Sequence, residues 1–341
     1  MLDAGPRGAQ AQLGMSETGE ADYTTEYPLR SGGYALSLFS RALHGLVLRA
    51  LSGGPMRLAD LRREVGGPAQ TTLRGNLDTL FDVGALEKRQ SSGRANLAAN
   101  ALTPVGIALL RVADAVDAWL ASAPGGPLRL ESETGKASIK ALVNGWDSTM
   151  LRALSVRPFS LTELDNLISA FSYPALERRL AAMRFAGFVT PVEGNGGGTP
   201  YAVLDWLRRA MAPLLAAVRC ERRHMAAETA PLTRIDVETI LVLALPLVAL
   251  APDAGGVSQL AVDGGDGSGW RSAGVRLSVE GGQIVSCTSK LEPSAESWIR
   301  GSAADWLDAL VDGRARQLEV SGDRALTFDV VDGLHRALFV A

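Results

Sequence analysis

The sequence has 341 residues, which is too long for one typical domain core and predicts two or three domains. Hydrophobic residues make up 47% of the composition, which indicates a folded chain with disorder restricted to its ends. The formal net charge of −3 is small, but it is distributed unevenly along the chain.

Three features argue against a secreted or membrane-bound protein. The cysteines, Cys220 and Cys287, lie far apart and form no paired motif, which argues against a disulfide framework and a zinc site. The most apolar stretch, Ile240 to Ala251, contains Pro246 and is shorter than the roughly 20 residues that a membrane-spanning helix needs. The N-terminus shows no secretion signal. We therefore expect a cytoplasmic protein without a membrane partner.

The charge distribution divides the chain into a basic front and an acidic back. The net charge is +3 over residues 35–125, +4 over residues 126–225 and −7 over residues 226–341. Of the 34 basic residues 30 are arginine, which suits bidentate contact with phosphate or guanine but also fits a GC-rich genome. We expect an anionic partner for the front half only, and we expect the acidic region to pack on the basic one.

An internal repeat is the most informative feature. Eleven positions between 48 and 84 are identical to positions 103 residues later, without a gap. The longest match pairs Leu48 to Ser52 with Leu151 to Ser155. Most of the shared residues are apolar, glycine or proline, as expected of a repeated core. The alternative is two unrelated helical hairpins, which would not keep register in this way.

Within each copy the periodicity predicts three helices, a β-hairpin and a long final helix. In the first copy the turns Gly53-Gly54-Pro55 and Gly66-Gly67-Pro68 separate the early helices. The predicted elements are a first helix ending before Gly53, a short helix from Leu58, a third helix from Gln70 to Val83, strands Leu86 to Arg89 and Asn96 to Leu102, and a helix from Pro104 to Ser122. This order is typical of a winged helix-turn-helix, in which the hairpin is the wing.

The motifs of both copies resemble the HxlR class of bacterial regulators. The residues that carry the resemblance are Gly145-Trp146 before the second motif, then Leu73, Leu77, Leu80, Gly84 and Leu86 along and after the third helix, and Leu102-Thr103-Pro104-Val105-Gly106 after the wing. The likeness covers residues 35–125 well and residues 137–225 more weakly. It implies binding to double-stranded DNA as a dimer on two half-sites, so one chain with two copies is a monomeric pseudo-dimer or a homodimer.

The third helix and the wing of the first copy supply the candidate DNA-binding residues. Burial of Leu73, Leu77 and Leu80 turns the opposite face of the helix outward. Glutamine and arginine suit adenine and guanine edges, and glycine permits close approach. The candidates are Gln70, Thr71, Thr72, Arg74, Gly75, Arg89 and Arg94. The alternative is an ordinary solvated face.

The second copy departs from this pattern. Its third helix presents Tyr173 and Arg178, which we take as weaker candidates. Its wing, Glu193 to Gly198, is acidic and glycine-rich, and a carboxylate at the tip repels phosphate. We expect the first copy to dominate DNA binding on an asymmetric operator.

The acidic C-terminal region predicts a separate α+β domain. An apolar helix-like segment runs from Asp236 to Ala251, and Gly281-Gly282 indicates a hairpin. The predicted strands are Val257 to Val262, Gly274 to Glu280, Gln283 to Cys287, Ser294 to Trp298 and one near Leu318, and the predicted helices are Ser302 to Val311 and Asp329 to Phe339.

This region resembles sterol-carrier-protein-2-like domains. The resemblance is carried by the helix start Gly301 to Leu310, the turn Asp312-Gly313 and the pair Gly322-Asp323. It implies an apolar cavity for a small apolar or aromatic effector, with Trp298 and Trp306 as candidate ligand-binding residues. The alternative is that both are plain core aromatics.

The sequence contains no catalytic constellation, nucleotide-binding loop or metal motif, so neither an enzyme nor a cofactor is expected. We expect an α+β chain with two tandem winged helix-turn-helix domains and a small sterol-carrier-like domain. The expected boundaries are 1–34 (flexible), 35–125, 126–228 and 229–341. The leading hypothesis is a ligand-responsive DNA-binding regulator; the alternatives are a protein-interaction scaffold that does not bind DNA and a lipid-binding carrier.

Overall fold

The computed structural model describes residues 30–90, 98–168, 170–194, 198–225, 229–264 and 272–340. Helices account for 55% and strands for 17%, which confirms the mixed α+β class. Within these ranges no helix combines the length and the apolar character needed to cross a membrane.

The first repeat consists of three short helices, a hairpin and a longer helix. It follows a short helix α1 (Gly33–Leu38), and Met56 bridges Asn100 of the hairpin. Its elements are α2 (Ala42–Ser52), α3 (Leu58–Glu64), α4 (Gln70–Asp82), β1 (Leu86–Gln90), β2 (Ala98–Leu102) and α5 (Pro104–Ala121). The helix bounds lie within a residue or two of those that the glycine and proline turns predict.

The second repeat shows the same order of elements. Its elements are α6 (Glu133–Gly145), α7 (Ser148–Val156), β3 (Phe159–Ser160), α8 (Leu161–Leu167), α9 (Tyr173–Phe185), β4 (Val189–Pro191), β5 (Pro200–Val203), α10 (Asp205–Arg209) and α11 (Met211–His224). Helices α8 and α9 begin and end 103 residues after α3 and α4. The pairing of Phe159 with Tyr201 lies where Met56 pairs with Asn100. The sequence repeat is therefore a repeat of local structure.

Packing of α5 against α11 joins the two repeats. At one end of this contact Trp119 and Trp206 stack with ring centroids 5.0 Å apart, and Phe188 packs on both rings. The indole N–H of Trp119 donates to the carbonyl of Trp206 at 3.0 Å, and that of Trp206 donates to the carbonyl of Trp119 at 3.1 Å. Both side chains are buried, so the pair satisfies its own polar groups inside the core.

The buried carboxylate of Glu221 on α11 fixes α1. It accepts the backbone N–H of Gly32 at 2.5 Å and that of Ala35 at 2.8 Å. Burial raises the pKa of Glu221, although the backbone hydrogen bonds oppose this. Arg30 pairs with Asp147 at 2.8 Å. The flexibility expected of segment 1–34 stays a prediction, because residues 1–29 lie outside the described ranges; Arg30 and Gly32, near its end, contact the second repeat.

The described residues of the C-terminal region form one five-stranded sheet and three α-helices. Its elements are α12 (Arg234–Ala244), β6 (Gly256–Val262), β7 (Ala273–Glu280), β8 (Gln283–Thr288), β9 (Trp298–Gly301), α13 (Ala303–Asp312), β10 (Glu319–Ser321) and α14 (Arg324–Phe339). The strand order is β10-β9-β6-β7-β8, with β6 and β9 parallel and the other neighbours antiparallel.

Three C-terminal boundaries differ from the sequence prediction. The strand expected from Ser294 begins only at Trp298, because the Gln259 side chain bonds both backbone groups of Glu292 and holds the segment before it as a connection. The apolar segment stops as an α-helix at Ala244, two residues before Pro246, which cannot donate a backbone hydrogen bond. The last helix begins five residues early because Asp323 caps it.

The acidic C-terminal region packs on the second repeat, in line with the charge distribution. Helix α12 lies against α7, where Arg152 pairs with buried Glu238 at 2.7 Å. Helix α13 lies against α11, where Arg219 makes a bidentate contact with Asp312. Ionic contacts between complementary surfaces therefore contribute to this attachment, together with the buried apolar side chains of α12.

We expect Trp119→Ala to lower the free energy of unfolding by about 3–5 kcal/mol, because it removes a buried ring and the donor to the Trp206 carbonyl. Urea denaturation followed by circular dichroism measures the change. Tyr173→Ala is the control, since that aromatic side chain is 44% exposed and its loss is expected to cost well under half as much. Equal losses in the two variants would contradict the role assigned to the tryptophan pair.

The Arg219–Asp312 contact predicts an acid-dependent stability. Burial would raise the pKa of Asp312, but the hydrogen bonds and charge of Arg219 outweigh it and hold the pKa below its ordinary value. Such a carboxylate stabilises the fold above its unfolded pKa, and the contribution is lost as the pH falls through the folded pKa. We expect Asp312→Asn to lower the urea midpoint at pH 7, and the gap from wild type to shrink below about pH 4.

The control for this experiment is Asp332→Asn, which removes an exposed carboxylate of α14. Its midpoint should follow that of the wild type at every pH. A gap for Asp312→Asn that stays constant or widens on acidification would show that the ion pair does not stabilise the contact.

Candidate nucleic-acid interface

The exposed face of α4 brings the first group of candidate residues together. Buried leucines fix the opposite face of the helix against the core. The exposed residues are Gln70, Thr71, Thr72, Arg74 and Gly75. Within the described ranges no side chain pairs with Arg74. A Cβ atom at Gly75 would meet nothing within 4 Å, so this face is open to an incoming molecule.

The first turn of α4 leaves backbone donors available. Its N-cap is Ala69, which has no side-chain acceptor, and the N-cap of the matching helix α9, Ser172, likewise makes no side-chain hydrogen bond. Uncapped N–H groups and the positive end of the helix dipole favour an anion at this position. The turn before α4 is braced, because Arg62 donates to the carbonyl of Pro68 at 2.7 Å. A phosphate could therefore bind here without reordering the turn.

The hairpin adds basic side chains beside this face. Lys88 donates to the Asn100 side chain at 2.6 Å, and its ammonium lies 4.8 Å from the centroid of the Phe81 ring. Arg89 is exposed and pairs with Glu87 on its own strand at 2.6 Å. That exposed pair is weak, so the guanidinium can exchange it for another anion. The predicted contact residue Arg94 lies outside the described residues.

The corresponding face of α9 has different chemistry. The residue 103 positions after Arg74 is Glu177, so a carboxylate stands where the first repeat has an arginine. Arg178 is exposed but lies one position, about 100°, further round the helix. Tyr173 is 44% exposed, and Pro174 follows it. The two candidates on this helix are thus exposed, but they do not reproduce the α4 arrangement.

The second repeat also exposes apolar side chains that the sequence reasoning missed. Phe185 is 85%, Val156 68% and Leu167 57% exposed. At the matching positions the first repeat has Asp82, Gly53 and Glu64. Comparing the two copies at an offset of 103 would have revealed these substitutions. At these three positions the second repeat is therefore apolar where the first is charged or glycine.

The two tryptophans proposed to bind an effector lie in different environments. Trp306 is fully buried on α13, and its indole N–H donates to the Ala261 carbonyl at 2.8 Å. Trp298 is half-buried on β9, with the Arg300 guanidinium 4.8 Å from its ring centroid. Trp306 therefore packs as a core residue, whereas part of the Trp298 side chain is accessible to solvent. Contact of either residue with a ligand stays a prediction.

Burial shifts the pKa of titratable groups in the repeats, among them His44 and Cys220. His44 is buried and contacts the Leu38 carbonyl at 2.7 Å, and burial lowers its pKa. Burial and the nearby Glu221 raise the pKa of the Cys220 thiol to about 12, so it stays protonated at neutral pH. In the described part of the chain, no cluster of three or more His, Cys, Asp or Glu residues is placed to hold a metal ion.

No protein-family profile matches the chain, and no curated protein matches it in sequence.

Proposed function

We propose that the chain is a ligand-responsive bacterial transcription regulator that binds double-stranded DNA through two tandem HxlR-like winged helix-turn-helix units. Helix α4 would lie in the major groove, and the hairpin β1–β2 would be the wing that contacts the backbone. The C-terminal region would be a sterol-carrier-like domain attached to the second unit.

The open face of α4 is the observation that carries this proposal. It combines an arginine that pairs with no described side chain, an uncapped helix start and a glycine with free space above it, next to a strand that bears Lys88 and Arg89. Arginine suits the O6 and N7 atoms of guanine, and helix N–H groups suit phosphate. These are the two classes of contact that sequence-specific binding requires.

The second unit would serve mainly as the partner of the first. Glu177 stands at the register of Arg74, and exposed Glu193 follows β4 where the first wing is basic. Carboxylates at these positions repel the phosphate backbone. The α5–α11 packing would then replace the dimer interface of a two-chain regulator, and DNA contact would be asymmetric.

A protein-interaction scaffold is the second candidate function. Its support is the exposed apolar set of Val156, Leu167 and Phe185, because apolar surface of this kind suits a protein partner better than DNA. The salt dependence of duplex binding separates the two candidates. A chain that contacts phosphates loses affinity steeply as salt rises, whereas a scaffold binds no duplex.

We expect Arg74→Ala to weaken binding to a selected duplex by about 1–3 kcal/mol and to relax discrimination among base changes in its site. Mobility shifts or fluorescence anisotropy over 50–200 mM salt measure both quantities. The matched control is Arg111→Ala, which removes the same charge from an exposed position on α5. If both variants bind like the wild type, α4 does not contact the bases.

Because the two repeats differ, we expect substitutions of Arg178 and Glu177 on α9 to change duplex affinity in opposite directions. Arg178→Ala should weaken duplex binding less than Arg74→Ala does, since Arg178 is offset from the matching position. Glu177→Arg, which restores the residue of the first repeat at that register, should strengthen binding by removing a carboxylate near phosphate. Titrations of the same duplex at one salt concentration compare the variants. Equal losses for Arg178→Ala and Arg74→Ala would mean that both helices contact DNA alike.

A further inference from the structure

A groove lies at the junction of the two repeats. Its walls come from the loop after α5, from α6, from the end of α9 and from Trp206 on α10. It is open on one side and has a volume of about 340 Å³. This volume is at the lower end of the range for sites that hold small organic molecules.

The lining of the groove is uncharged. The side chains that give it its character are those of Ala123, Leu128, Ala137, Phe185 and Trp206, with glycines between them. Its polar side chains are the hydroxyls of Thr134 and Ser138, and that of Ser138 already donates to the Thr134 carbonyl at 2.9 Å. In a chain with 21% charged residues, a groove without a charge favours a neutral occupant.

The exposed ring of Phe185 favours an aromatic occupant. Phe185 ends α9 and is 85% exposed, whereas Trp206 is only 5% exposed and is held in the core by its stack and its hydrogen bonds with Trp119. The first repeat has a charged residue, Asp82, at the position that matches Phe185. The apolar wall is therefore specific to the second repeat and is not a requirement of the shared fold. Flat rings gain dispersion and stacking contacts with such side chains.

We propose that this groove binds a small neutral aromatic molecule and that it, rather than the C-terminal sheet, is the effector site. The packed state of Trp306, with its N–H already paired, agrees with this assignment. The binding itself follows from the groove alone, while its regulatory consequence rests on the proposed DNA-binding function.

The location of the groove gives the bound molecule a route to the DNA-binding surface. One wall belongs to the loop after α5 of the first repeat, and another to the end of α9 of the second. A molecule that contacts both walls stabilises those conformations in which the two walls lie at the distance that the molecule spans. Binding then changes the relative placement of α4 and α9 and thereby the affinity for DNA, provided that the two states bind the molecule unequally.

The test uses the neutral fluorescent probe N-phenyl-1-naphthylamine and the full chain without DNA. We expect saturable binding with increased probe fluorescence, weakened at least tenfold by Phe185→Asp, which restores the residue of the first repeat. Ala137→Trp, which fills the groove from an exposed position, should weaken probe binding similarly. Leu167→Glu is the matched control, because it makes the same kind of exchange at an exposed apolar position outside the groove.

Probe binding that is absent in the wild type, or unaffected by both groove variants, overturns the proposal, as does an equal loss in Leu167→Glu.

Duplex affinity is then measured with and without saturating probe in the wild type and in Phe185→Asp. A probe-dependent shift of about threefold or more in the wild type alone supports the regulatory route. If the probe binds but no duplex does, the groove stands and the proposed DNA-binding function fails.

Discussion

The structure of the repeats depends on the contact between α5 and α11, closed at one end by the reciprocal hydrogen bonds of Trp119 and Trp206. Two large rings are buried there with both indole donors satisfied, so the contact gains apolar burial without leaving a polar group unpaired. Glu221 on the same helix α11 fixes α1, and Arg219 fixes the C-terminal region. Helix α11 thus contacts three parts of the chain, namely α5, α1 and the C-terminal region.

A repeat within one chain can diverge in a way that the two identical subunits of a homodimer cannot. The buried apolar positions of α4 and α9 match, with two leucines shared and Met183 in place of the third. The exposed residues have changed from Arg74 to Glu177 and from Asp82 to Phe185. The constraint on the core is packing, which both copies share. The surfaces are free of that constraint, and their different chemistry is the basis for assigning the copies different roles.

The sequence predicted the features that depend on local patterns. The bounds of α3 and α4, and those of their counterparts, follow from leucine spacing and from glycine and proline turns. Contacts between residues distant in the chain were not predictable in this way. The Glu221 anchor of α1 joins groups 186 or more residues apart, and the strand at Trp298 begins where Gln259 fixes the preceding segment. For the candidate DNA-binding face, the exposure of the side chains could be predicted from the sequence. The groove beside Phe185 could not, because its walls come together only when the two repeats pack.

Selection of duplexes from a random-sequence pool by the full chain tests the central claim most directly. We expect enrichment of a single non-palindromic element, because α4 would make most of the base contacts, and loss of that enrichment with Arg74→Ala. Recovery of an inverted repeat with equal halves, or of no sequence at all, would contradict it.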